Sequence, residues 1–145
     1  VEAPGGFRHV EVRLAIPGEE LPVALYAIHP PPPVSGDLAH ARNDNLARIA
    51  AAISERTDET AIVVGDFNTT PYSPYLRSFL KETALLPARR CLLHQGTWPV
   101  IFGNAWFGIP IDHSLVAARL RVAAHEIGPD LGSDHLPIVL SVAPR

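Results

Sequence analysis

Four short stretches of this 145-residue chain end in side chains able to do chemistry. "AIVVGDFN" closes an apolar run on Gly65 and then presents Asp66 and Asn68, one residue apart. "GIPIDHSLV" carries Asp112 and His113, "GSDHLPIV" places Asp134 and His135 before an apolar run, and "LYAIHPPPP" ends on His29 just before four prolines. Hard carboxylate and amide oxygens are natural ligands for a divalent cation. A histidine backed by a carboxylate takes a proton from water well, because the carboxylate fixes the tautomer and stabilises the imidazolium. Together such groups suit attack of water on phosphorus, with the cation neutralising charge on the phosphate oxygens. Each pair alone also fits a plain turn, since Asp and Asn bond readily to nearby backbone.

These residues need a scaffold that carries them to one place. "HVEVRLAI" (9–16) alternates, with Val10, Val12 and Leu14 on one face and Glu11 and Arg13 on the other, which predicts a half-buried strand. "PGEE" makes a turn and "LPVALYAIH" (21–29) a second strand, so a hairpin with a loop of four or five residues is expected. "PPPPVSG" can continue neither strand nor helix. From about Asp37 to Arg56 the apolar positions Leu38, Leu46, Ile49, Ala50 and Ile53 share one helical face, with Arg42 off it. "TAIVVGD" reads as a strand buried on both faces. "SPYLRSFLKETAL" reads as a helix, with Ser73 as N-cap and Pro74 in its first turn. Residues 87–110 read as irregular, and 111–117, 120–127 and 136–142 as three further strands. Strands with two intervening helices make an α/β layered domain. Asp134 and His135 point to opposite faces of a strand, but can splay around a site if they lie in the loop before it.

Composition narrows the partners. The 12 basic and 15 acidic residues leave a net charge of −3, and Lys81 is the single lysine, which disfavours a polyanion held by bulk charge. One cysteine, Cys91, excludes an internal disulfide and any cysteine-rich zinc cluster, and reads as a buried thiol. Fifteen prolines, about twice the usual ~5%, imply stiff loops. No apolar run approaches the ~20 residues that cross a bilayer. Trp98, Trp106 and Phe107 could line a substrate groove, but aromatics in a long loop more often plug it against the core, which is the expectation here. His9, His40, His94 and His125 are expected to face solvent, as is the Arg89–Arg90 pair.

"GDFN", "IDH" and "GSDHLPI", in that order, resemble the endonuclease/exonuclease/phosphatase superfamily, the Mg²⁺-dependent phosphoesterases related to DNase I and exonuclease III. The resemblance runs from about residue 9 to 142. "AIHPPPP" and "GTWP" look more like a bacterial branch often attached to an N-terminal membrane region. The resemblance implies that Asp66 orients the attacking water and serves the metal, and that Asn68 contacts the scissile phosphate. His29 would stabilise phosphate charge, Asp134 would supply a metal-site carboxylate, His135 would be the base and Asp112 would hold His135; His113 has no role. Mg²⁺ or Mn²⁺ is the implied cofactor.

The family pattern also opens with an Asn at the end of its first strand and a Glu that is the principal metal ligand, and neither has a counterpart before "HVEVRL". Glu2 lies in linker-like "VEAPGG" and Glu11 in mid-strand. The chain therefore reads as an α/β C-terminal half of a four-layer α/β/β/α sandwich, with a mixed, mostly antiparallel sheet and helices on one face. Residues 1–8 read as a linker or truncated end, and 9–145 as one partial domain. The expected function is metal-dependent phosphoester hydrolysis, weak or absent in a truncated piece. The alternative is a non-catalytic half-domain that forms a homodimer, sheet against sheet, over an apolar face larger than a monomer tolerates. A calcineurin-type binuclear site lacks its histidine motifs here, and no G-x-S-x-G marks a serine hydrolase. A phosphate ester is the expected substrate, its class left open; a membrane enters only through a segment outside this chain.

Overall fold

The computed structural model describes residues 9–18, 20–89, 96–101 and 108–145. Cys91, His94, Arg90, Trp106, Phe107 and the "VEAPGG" stretch lie outside them.

Strand β1 (Val10–Leu14) pairs antiparallel with β2 (Val23–Ile28). Helix α1 (Gly36–Ser54) then crosses over and leads into β3 (Thr60–Asp66), which pairs parallel with β2. Ser35 caps α1 by accepting a bond from the Leu38 N–H, with Asp37 in the first turn where the helix dipole favours an acid. Helix α2 (Pro74–Thr83) starts on the Ser73 cap with proline in its first turn, and stops at Ala84, which is left-handed at φ 55°. The short β4 (Leu86–Pro87) and β5 (Asp112–Val116) complete a five-stranded sheet ordered β1-β2-β3-β5-β4, mixed and mostly antiparallel. Strands β6 (Leu120–Ile127) and β7 (Ile138–Pro144) form a separate two-stranded sheet.

Burial alternates across the large sheet, as period-two side chains require. Ala24, Tyr26, Ile28, Ala61, Val63 and Leu115 face α1 and α2, closing a core with Leu46, Ile49, Ile53, Leu76 and Phe79. Val23, Ile62 and Val116 face the other way, against Leu120, Val122, Leu140 and Val142 of the β6–β7 sheet. The helices thus sit on one face and a second sheet on the other, the α/β arrangement the sequence predicts.

Four expectations are corrected. The β1–β2 loop spans residues 15–22, longer than four or five, because both strands are shorter than their apolar runs. A two-residue strand, β4, falls between the stretch read as helix and the start of the one read as irregular, where no strand was expected. His125 and His9 are half-buried rather than solvent-facing, and burial pulls both imidazoles below their ordinary pKa. Strand β1 inverts its expected sidedness. Val10, Val12 and Leu14 are 60%, 40% and 40% exposed, whereas the Glu11 side chain packs against the end of α1 and accepts a 2.6 Å bond from Arg56. The cause is position. β1 is a sheet edge, its helix side is occupied by the Arg56, Tyr26 and Glu59 network, and β6–β7 does not reach over its other side.

Candidate active site

The C-terminal end of β3, the end of β2 and the start of β5 lie side by side, with Ile28 opposite Gly65 and Asp66 opposite Asp112. That register is what gathers residues far apart in the chain. Gly65 is required for it: at φ +139°, a Cβ there would stand 2.0 Å from the Ile28 carbonyl oxygen. Glycine alone lets β3 run this close to β2.

Three groups converge: donor atoms of Asp66, Asp112 and His135 all lie within 4.8 Å of one another. His135 Nδ1 stands 2.9 Å from Asp112 Oδ2, so an imidazole protonated at Nδ1 donates to the carboxylate and leaves Nε2 open. That Nε2 lies 3.9 Å from Asp66 Oδ2, and His29 Nε2 lies 3.6 Å from the same oxygen. The Asp66 side chain is 13% exposed and that of His29 71%. Burial pushes the Asp66 carboxyl above its usual range; the Asn68 N–H opposes this, and the Asp112 charge adds to it. Two carboxylates held together against their own repulsion favour a cation between them, and their hard oxygens fit a divalent metal ion.

Asn68 comes to the same corner with its side chain already engaged. At φ 50°, its Nδ2 donates to the Pro30 carbonyl (2.9 Å) and its backbone N–H donates to Asp66 Oδ1 (2.7 Å). His113, on the opposite face of β5, is an anchor: its ring bonds through Nε2 to the Thr69 carbonyl (2.8 Å) and meets Phe67 edge-on. Asp134 and His135 do lie in the loop before β7, and they part there. The Asp134 carboxylate stands outside the three-group cluster and accepts from the Trp98 indole N–H at 3.1 Å. Trp98 is half-buried, its ring 6.2 Å from that of His135, rather than a plug in the core. Backbone bonds from Leu136 N to Thr97 O and from Val100 N to Asp134 O pin this loop to the "TWPV" segment. A cleft of about 430 Å³ opens beside the cluster, walled by Val64, Ser114, Leu131, Leu136 and Ile138.

Sequence reasoning missed one contributor and misplaced another. The Arg42 guanidinium, read as a solvent-side position of α1, reaches the Asn68 carbonyl. Trp98 sits over the site through Asp134, and "GTWP" was its only signal.

The family model described as Endonuclease/Exonuclease/phosphatase family matches residues 3–135. No curated protein matches the sequence. Among solved structures, a functionally unknown conserved protein from Enterococcus faecalis V583 is 20% identical with a TM-score of 0.71, over 89% of this chain and 53% of its own. The human Nocturnin catalytic domain with bound sulfate is 17% identical with a TM-score of 0.71, over 94% and 53%. Mannosyl-6-phosphatase from Bacteroides thetaiotaomicron VPI-5482 is 18% identical with a TM-score of 0.64, over 88% and 52%. The likeness is one of fold, and the chain spans about half the length of these structures.

Proposed function

The chain belongs to the endonuclease/exonuclease/phosphatase family, and on that premise we propose that its site hydrolyses phosphate esters with an activated water and a divalent cation. The observation that carries this reading is the convergence of Asp66, Asp112 and His135, with Asp112 bonded to the His135 ring. Asp66 and Asp112 would hold Mg²⁺ or Mn²⁺, which when bound neutralises charge on the phosphate oxygens. His135 Nε2 takes the proton of the attacking water, and Asp112 stabilises the imidazolium that results. The water oxygen bonds to phosphorus as the ester oxygen leaves with its electron pair. His29, the most exposed of the group, offers a donor to the phosphate. Asn68 reaches phosphate only by exchanging its bond to Pro30. With its carboxylate on Trp98, Asp134 serves the site by steadying that ring. The phosphatase named among the structural neighbours supports the reaction class, leaving the ester's organic part open.

The test pairs hydrolysis of bis(p-nitrophenyl) phosphate with calorimetric Mg²⁺ and Mn²⁺ binding. His135→Ala is expected to lower turnover on the order of 10²–10⁴-fold while metal binding persists, whereas Asp66→Ala loses the binding, and EDTA abolishes turnover reversibly. Turnover that survives His135→Ala overturns the mechanism.

A second reading rests on one observation, the open apolar face of Val10, Val12 and Leu14. It is a non-catalytic half-domain that acts by homodimerisation or by association with a partner over that face. Metal binding without turnover, together with a dimer by light scattering, favours it; a monomer at low concentration overturns the homodimer.

A further inference from the structure

We propose that Arg42 is a positioning residue for this site, setting from helix α1 the turn that decides which oxygen of Asp66 faces His29 and His135. The inference rests on the phosphoesterase reading and adds to it a residue outside the strand-end motifs.

The Arg42 side chain is held at three points. Its NH1 donates to the Asn68 carbonyl, its Nε donates to Asn43 Oδ1 at 2.8 Å, and its guanidinium carbon lies 5.7 Å from the centroid of the Tyr75 ring on α2. A planar guanidinium reaches two acceptors through separate N–H groups while stacking on an aromatic face, which an ammonium cannot do. The residue it grips is the pivot of the site. Asn68 sits in the left-handed region, a conformation that side chains other than glycine adopt at a cost and that asparagine tolerates best. In that conformation its N–H closes a turn onto Asp66 Oδ1, and its amide ties Pro30, the residue after His29. With Oδ1 engaged in the turn, Oδ2 is the oxygen directed at His29 and His135. One guanidinium thus sets the presentation of Asp66 and, through Pro30, the end of β2 that carries His29.

Arg42→Ala is expected to raise hydrogen exchange at the Asn68 amide by about tenfold or more while the β3 amides of Val63 and Val64 keep their protection. Turnover of bis(p-nitrophenyl) phosphate is expected to fall on the order of 10–100-fold in kcat, with KM nearly unchanged. Arg42→Lys recovers part of both, since one donor to the Asn68 carbonyl remains. Unchanged Asn68 exchange in Arg42→Ala overturns the proposal, as does a general loss of protection that includes Val63 and Val64. The exchange reading needs no catalysis, so a chain that hydrolyses no ester at all refutes the proposed function and leaves the positioning of Asn68 to be judged by itself.

Discussion

Asp66 uses its two carboxylate oxygens differently. Oδ1 accepts the Asn68 N–H inside its own turn, and Oδ2 faces the two histidines. A strand-end Asp-x-Asn therefore does two jobs at once: the first oxygen makes the turn that any Asp favours, and the second is left for chemistry. Gly65 makes this presentation possible, because the backbone of β3 passes where a methyl group would meet the Ile28 carbonyl. Gly65→Ala is expected to destabilise the chain by about 2–4 kcal/mol in urea unfolding, and to separate His29 from Asp66. A variant as stable as the parent would show that β2 and β3 part at little cost.

Elements position these residues through their ends more than through their middles. Parallel pairing of β2 with β3 places His29 beside Asp66, and antiparallel pairing of β3 with β5 places Asp112 opposite it. Strand β1 contributes differently, by stitching the sheet edge to α1. Arg56 at the helix end bonds to Glu11 and to the Tyr26 hydroxyl, and the Tyr26 hydroxyl bonds to Glu59. Burial, with Glu59 beside it, pushes the Tyr26 phenol well above its ordinary pKa. The Arg56 bond holds the Glu11 carboxyl below its ordinary value of 4.5. A carboxylate with a lowered folded pKa contributes stability that is fully present above its unfolded pKa and lost as pH falls through the folded one. Stability is therefore expected to drop more steeply below pH 4.5 in the parent chain than in Glu11→Gln, measured by thermal unfolding across an acid series. Parallel curves would show that the Arg56 bond adds nothing on folding.

At the scale of the whole molecule, three layers meet on one sheet, and the cover is unequal. Helices close one face from β2 to β5, whereas β6 and β7 close only part of the other, leaving Val10, Val12 and Leu14 in a row at the edge. An apolar row along a strand that ends the sheet among the described residues is a template for association. If a second copy covers it, Val12→Glu is expected to convert a dimer to a monomer by light scattering and to leave the fold intact, because Val12 is 40% exposed on a strand at the sheet edge. A chain that is monomeric before the substitution excludes the dimer. The described residues hold no helix long and apolar enough to cross a membrane.

Much of this was legible in the residue order. Amphipathic spacing located α1, the Ser-Pro start located α2, the apolar run of 60–66 located a strand buried on both faces, and three strand-end motifs pointed to one family. Such signals are local: a helix face, a cap or a motif is written in neighbouring residues. What the sequence left open depends on contacts across the chain. Only packing put the Asp134 carboxylate on Trp98, turned the Glu11 side of β1 inward, and brought Arg42 across to Asn68. Each of these contacts joins residues at least 26 positions apart, and they meet through sheet register and helix placement, which no short stretch of residues encodes.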